Sequence, residues 1–172
     1  MTKNIVLVGL MGSGKSTAGK MLAEKLDWSF IDTDSLIEKR AGQSITDIFK
    51  NKGEPYFREL ECSIIKEIST SSSCIISTGG GCLEREENIL NLKQNGVLFY
   101  LYAPPEVLYE RIKEDNTRPL LNNDNPLGVL KNLLIKREKF YNQSDIKIDT
   151  INITVEELVN LIIEKYNEFT NS

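Results

Sequence analysis

One stretch near the start of the chain limits what it can fold into: Asn4-Ile5-Val6-Leu7-Val8, followed without a break by Gly9-Leu10-Met11-Gly12-Ser13-Gly14-Lys15-Ser16-Thr17. The aliphatic, β-branched run reads as a buried strand, and the glycine-spaced segment ends where a helical pattern begins. Strand, glycine loop and helix in that order make a phosphate-binding loop. Its glycines let successive N–H groups turn inward toward phosphate oxygens, and the helix start adds the positive end of its dipole. In this loop Gly12, Ser13, Gly14, Lys15, Ser16 and Thr17 are the nucleotide-binding candidates; Lys15 reaches the β and γ phosphates and the Ser16 hydroxyl is placed to ligate Mg²⁺. A nucleoside triphosphate is the expected co-substrate. The acceptor of its γ-phosphate is not given by the loop.

The rest of the chain sets the surroundings. Its 172 residues suit one domain, 1–172, with a real core, and 27% charged with 40% hydrophobic residues is ordinary usage for a soluble protein. A net charge of −4 argues against a nucleic-acid partner. The apolar run at the amino terminus is the strand that feeds the loop, so neither a signal nor a transit peptide is expected and a cytoplasmic protein is; nothing in the sequence demands more than a monomer. Three cysteines, Cys62, Cys74 and Cys82, have no metal-ligand or CxxC spacing. Cys82 follows the glycine run and is either a small buried hydrophobe or a reactive thiol. Histidine is absent, so proton transfer falls to a carboxylate and any metal to oxygen ligands, which suits Mg²⁺.

Further strands are expected at Ser29–Asp32, Cys74–Ser77, Val97–Leu101 and Ile146–Ile148. Helices are expected at Ser16–Leu26, from Ser35 onward, and at Ile45–Asn51, Pro55–Thr70, Glu86–Asn95, Pro105–Glu114, Pro126–Tyr141 and Val155–Phe169. Aliphatic strands alternating with helices predict an α/β fold, a parallel sheet covered on both faces in three layers. The polar, asparagine-rich stretch from Asp115 to Asn125 has neither period. It predicts a surface loop, a lid spanning about 112–125 that carries Arg118.

In such sheets ligands gather at the carboxyl ends of the strands. Three ends carry informative residues: the phosphate loop, Asp32-Thr33-Asp34, and Thr78-Gly79-Gly80-Gly81. Asp32 is placed to support Mg²⁺, directly or through water. Asp34 can accept a hydrogen bond from an attacking hydroxyl, or else it caps the following helix. The triple glycine exposes backbone N–H groups to an anion or a hydroxyl, or is a plain turn. Arg58 and Glu61 lie three apart on one helix. Glu61 falls near the apolar stripe, where it needs Arg58 as a partner; a surface i,i+3 pair is the alternative. Lysine supplies 15 of the 21 basic residues, so the few arginines, Arg58, Arg111, Arg118 and Arg137 among them, mark places that want a planar fork.

Taken in order, the phosphate loop, Asp32-Thr33-Asp34, Phe57-Arg58-Glu59-Leu60-Glu61, Gly79-Gly80-Gly81, Arg118-Pro119-Leu120-Leu121 and Arg137 to Tyr141 resemble the shikimate kinase family, nucleoside-monophosphate-kinase-like P-loop proteins. The resemblance covers nearly the whole chain. It implies five parallel strands ordered 2-3-1-4-5, a substrate-binding helical segment at about 33–61, and ATP-dependent phosphorylation of the 3-hydroxyl of shikimate on the way to chorismate and the aromatic amino acids. By the same resemblance Arg58, Arg137 and Gly80, within the Gly79–Gly81 run, hold the substrate carboxylate. Asp34 binds the hydroxyls and is the proposed base, and Glu61 orients Arg58. Arg118 meets the phosphates on closure and Arg111 lies against the adenine. One departure stands out: Ile151-Asn152-Ile153-Thr154 replaces the arginine and proline that some relatives carry around the adenine. A kinase for another small polyol acid such as gluconate, or a catalytically silent nucleotide-binding relative, is the alternative.

Overall fold

In the computed structural model, which describes residues 2–114 and 124–171, five strands form one parallel sheet. They are β1 (Asn4–Val8), β2 (Ser29–Asp32), β3 (Cys74–Ser77), β4 (Gly96–Tyr102) and β5 (Ile146–Asp149), in the order β2-β3-β1-β4-β5. The helices are α1 (Lys15–Leu26), α2 (Thr33–Ala41), α3 (Ile45–Ile68), α4 (Glu86–Gln94), α5 (Pro105–Ile112), α6 (Pro126–Tyr141) and α7 (Val155–Thr170), with one 3₁₀ turn at Cys82–Glu84. The strand order expected from the family resemblance is the order found.

Alternation along the strands divides the core in two, because successive side chains leave opposite faces. Val6, Val8, Ile76, Leu98 and Tyr100 pack with Ile64, Ile65 and Ile68 of α3 and Ile89 and Leu92 of α4. Ile5, Leu7, Ile75, Val97 and Phe99 face Ala18 and Leu22 of α1 and Val159 and Ile162 of α7. Every residue of β1 is buried, as the middle strand of a sheet covered on both faces must be. Helix α1 approaches closely because Gly19 has no side chain: a Cβ there would stand 2.5 Å from Cε2 of Phe30.

Small differences from the sequence reading have local causes. The two helices expected at Ile45–Asn51 and Pro55–Thr70 form a single span, α3, interrupted at Gly53, whose φ of 80° and ψ of 169° are not helical. Pro55 then takes a place in the first turn after the break, where its missing N–H costs nothing. Helix α5 ends at Ile112, two residues before the expected Glu114, and α6 begins at Pro126 with the Asn125 side chain accepting from Gly128 N at 3.0 Å. Between them, residues 115–123, and with them most of the expected lid and Arg118, lie outside the described residues. No described helix is long and apolar enough to cross a membrane.

Candidate active site

The carboxyl ends of β1, β2 and β3 open into a cleft of about 680 Å³ whose walls include Lys15, Ser16, Asp32, Asp34, Arg58, Glu61, Gly79–Gly81, Arg111 and Arg137. Residues from six separate stretches of sequence are thus brought to one place by the topology.

At one end lies the phosphate loop. Gly12 and Gly14 have φ of 79° and 93°, left-handed values that suit glycine. A Cβ on Gly12 would also stand 3.0 Å from the backbone oxygen of Leu108. Lys15 Nζ donates to the carbonyls of Gly9 at 2.7 Å and Leu10 at 3.0 Å, so its ammonium is held over the loop it serves. Ser13 is buried, its side chain turned beneath the loop toward Lys15, so only its backbone is available to a ligand. Thr17 lies on the cleft wall. Arg111, on α5, bridges the loop to the segment after β5: it donates to Gly12 O at 3.2 Å, to Thr150 Oγ1 at 3.1 Å and to Thr150 O at 2.6 Å.

Beside the loop, Ser16 Oγ donates to Asp32 Oδ2 at 2.9 Å and lies 3.3 Å from Ser77 Oγ. Hydroxyl and carboxylate oxygens with no nitrogen or sulfur form a donor set that fits Mg²⁺. Asp32 has a second task, since its Oδ1 accepts from Ser35 N at 3.0 Å and caps α2. The cap is therefore two residues earlier than the alternative placed on Asp34. Asp34 sits in the first turn of the helix, and its carboxylate is turned into the cleft, where a Cβ on Gly79 would stand 2.6 Å from Oδ1. Burial, and next the neighbouring Asp32 charge, push the Asp34 carboxyl above the usual range, with Lys15 pulling the other way. Thr33 fixes the opposite wall by accepting from Gly79 N at 3.0 Å.

The far end of the cleft is cationic. Glu61 is 1% exposed, which rules out the surface-pair alternative for it and Arg58. Arg58 Nη1 donates to Glu61 Oε2 at 2.8 Å, whereas Oε1 has no hydrogen-bond partner among the described residues. Burial raises the Glu61 carboxyl and Arg58 offsets only part of that rise. On Arg58 burial opposes the charge, yet Glu61, with Glu84 and Glu54 behind it, outweighs burial and holds the guanidinium above its ordinary value. Arg137, on α6, donates through Nε to Glu84 Oε1 at 2.7 Å. A Cβ at Gly81 would stand 2.9 Å from Arg58 Nη1 and 3.0 Å from Arg137 Nη2, and one at Gly80 would stand 3.2 Å from Arg137 Nη1. The two guanidiniums therefore converge on the triple glycine, where a side chain would have to push them aside. Tyr141, one helical turn after Arg137, donates its hydroxyl to the Gly80 carbonyl and packs on Tyr100 with ring centroids 4.9 Å apart.

Of the sequence-derived candidates among the described residues, all but the Ser13 side chain reach this cleft; Arg118 lies outside the described residues. Cys82 lies directly behind it but is fully buried, and burial pushes its thiol far above the ordinary value, so the reactive-thiol alternative is set aside. Three contributors, Tyr141, Ser77 and Glu84, were assigned no role from the sequence. Tyr141 sits at i+4 from Arg137, a spacing that shares one helix face and could have pointed to it. Ser77 is the last residue of an apolar strand and Glu84 follows a glycine turn; no local pattern distinguishes either.

The sequence model of the shikimate kinase family matches residues 11–167. A shikimate kinase of Thermodesulfovibrio yellowstonii is 44% identical over 169 residues, 98% of each chain, and one of Caldicellulosiruptor bescii is 48% identical over 154 residues, 90% of each. Among solved structures, shikimate kinase from Acinetobacter baumannii in complex with shikimate superposes with a TM-score of 0.92 at 36% identity, covering 98% of this chain and 94% of that one.

Proposed function

Because the chain belongs to the shikimate kinase family, whose members use ATP as co-substrate, we propose that it transfers the γ-phosphoryl group of ATP to the 3-hydroxyl of shikimate, with the roles below assigned to its own residues. The observation that carries the reading is the convergence of Arg58 and Arg137 on Gly80 and Gly81, across the cleft from Lys15. A pocket with two forked cations at one end and a phosphate cradle at the other accepts a small anion and holds it toward a triphosphate.

Phosphoryl transfer needs in-line positioning and charge stabilisation far more than covalent participation. The substrate carboxylate binds the Nη groups of Arg58 and Arg137 and the Gly80 backbone. This places the ring hydroxyls near Asp34, whose carboxylate orients the attacking hydroxyl and takes its proton as the new oxygen–phosphorus bond forms and ADP departs. The raised affinity of Asp34 for a proton suits that role. Lys15 supports the β and γ phosphates, Gly12 to Thr17 cradle them, and Arg111 flanks the base. Arg118 is assigned to the phosphates on lid closure. Ser16 and Asp32 would hold Mg²⁺, which when bound supplies neutralising charge to the β and γ oxygens. Every group named comes from one chain, and the reading is that of a monomer working in the cytoplasm.

The test is coupled ADP release with shikimate, quinate and gluconate as acceptors. Turnover confined to shikimate is the expected result. Faster turnover of gluconate would overturn the assignment of acceptor, and ATP binding without transfer to any acid would overturn the assignment of activity.

A further inference from the structure

Each guanidinium of the cationic end is held by carboxylates. Arg58 pairs with buried Glu61 and with the more exposed Glu54; Arg137 pairs with Glu84, in the 3₁₀ turn directly after the triple glycine. Both Glu84 oxygens are engaged, Oε1 by Arg137 Nε and Oε2 by Lys136 Nζ, each at 2.7 Å. The Glu84 side chain is 17% exposed and that of Arg137 13%, whereas Lys136 is 62% exposed and lies on the outer side of the pair.

The use of Nε has a geometric consequence. A guanidinium held at Nε leaves its Nη1–Nη2 edge available, and those are the atoms that approach Gly80 and Gly81. The glycine turn also carries Glu84, three residues from Gly81, so the turn that offers its backbone to an anion aims the arginine at the same point.

We infer that Glu84 is a positioning residue for the carboxylate clamp: it takes the Nε donor of Arg137 so that the Nη1–Nη2 edge is presented to the substrate carboxylate. The inference rests on the shikimate reading and adds to it a residue with no contact of its own to the substrate.

Charge and geometry make opposite predictions, which isolates the role. An anion behind the clamp repels the substrate carboxylate, so a purely electrostatic Glu84 would weaken binding, and its removal would lower the KM for shikimate. A positioning Glu84 does the reverse. Loss of the anchor frees Arg137 to rotate, and the KM rises.

The experiment is steady-state kinetics in both substrates for wild type, Glu84→Ala, Glu84→Gln, Glu84→Asp and Lys136→Ala, and for Glu84→Ala combined with Arg137→Ala. Glu84→Ala is expected to raise the KM for shikimate roughly tenfold while the KM for ATP stays within about twofold, a split that general loosening of the fold would not give. Glu84→Gln keeps an acceptor at the right distance and stays near wild type. Glu84→Asp keeps the charge but withdraws the acceptor, and raises the KM for shikimate several-fold. Lys136→Ala stays within about twofold of wild type, because only the exposed half of the pair is lost. In the Arg137→Ala background Glu84→Ala adds nothing further. A lowered or unchanged KM for shikimate in Glu84→Ala overturns the inference, as does an equal rise for ATP. Should Glu84→Ala not fold, an unchanged KM in Glu84→Asp overturns it. Failure of the wild type to turn over shikimate removes the underlying reading, and this one with it.

Discussion

Replacing Arg58 by alanine tests the cationic end of the cleft through stability as well as kinetics. The substitution leaves Glu61, 1% exposed, without its hydrogen-bonded counter-charge, with only the more weakly acting Arg137 remaining, and Oε1 already has no hydrogen-bond partner among the described residues. Breaking a buried pair by removing one partner costs about 3–5 kcal/mol. The Arg58 side chain is 14% exposed, so some water reaches the pair and the low end of that range applies, about 3 kcal/mol at pH 8. The carboxylate has one escape, which is to take a proton. From its ordinary value of 4.5, keeping Glu61 protonated costs about 1 kcal/mol at pH 5 and close to 5 kcal/mol at pH 8, at about 1.4 kcal/mol per unit. The loss is therefore about 1 kcal/mol at pH 5 and about 3 kcal/mol at pH 8.

The sign follows from proton uptake. Burial raises the folded-state value of Glu61 above its unfolded one, so the native state binds the extra proton. Stability is fully present below about pH 4.5 and is lost as pH rises toward the raised folded value, more steeply once Arg58 is gone. Urea unfolding followed by the fluorescence of Trp28, the single tryptophan, measures this. That residue packs edge-on against Tyr166 in the α1–α7 layer, away from the cleft, so its signal reports global unfolding. Adding Glu61→Gln to the variant should abolish the extra pH dependence. A loss in Arg58→Ala that is the same at pH 5 and pH 8, or below about 1 kcal/mol at pH 8, would refute the buried-pair account.

Three other substitutions probe separate parts of the site. Asp34→Asn should lower kcat by about 10²–10⁴ with little change in the KM for ATP, measured by coupled ADP release, because it removes the proton acceptor and leaves the phosphate loop intact. Gly81→Ala places a Cβ against the ends of Arg58 and Arg137, side chains that can shift, rather than against backbone, so the protein should still unfold cooperatively in urea while the KM for shikimate rises roughly tenfold. Tyr141→Phe takes the donor from the Gly80 carbonyl and should cost about 1 kcal/mol of stability with a three- to tenfold rise in the KM for shikimate, roughly the worth of one hydrogen bond.

What could be read in the sequence, and what could not, divides along the distance over which each interaction acts. The phosphate loop is contiguous, and its strand and helix are its immediate neighbours, so Lys15 and Ser16 could be placed from spelling alone. Glu61 and Arg58 lie three apart on one helix, and the apolar stripe around them was enough to pair them and to bury the acid. Asp32 and Asp34 mark the boundary of this kind of reasoning. Both are competent helix caps, and the choice between them turned on where the backbone leaves the extended region. It is still extended at Asp32, with φ of −98° and ψ of 118°, so Asp32 caps and Asp34 is released into the cleft. Glu84 and Arg137 are 53 residues apart, on a turn and a helix with no shared period, and only the packing of α6 against the glycine turn brings them together. An ion pair of that kind leaves no trace in local pattern, because neither partner's neighbours depend on it. Residues that touch the ligand are held to the motif by chemistry, whereas residues that aim them are free to come from wherever the fold supplies a carboxylate; for that reason the aiming residues, more than the binding ones, required the three-dimensional structure.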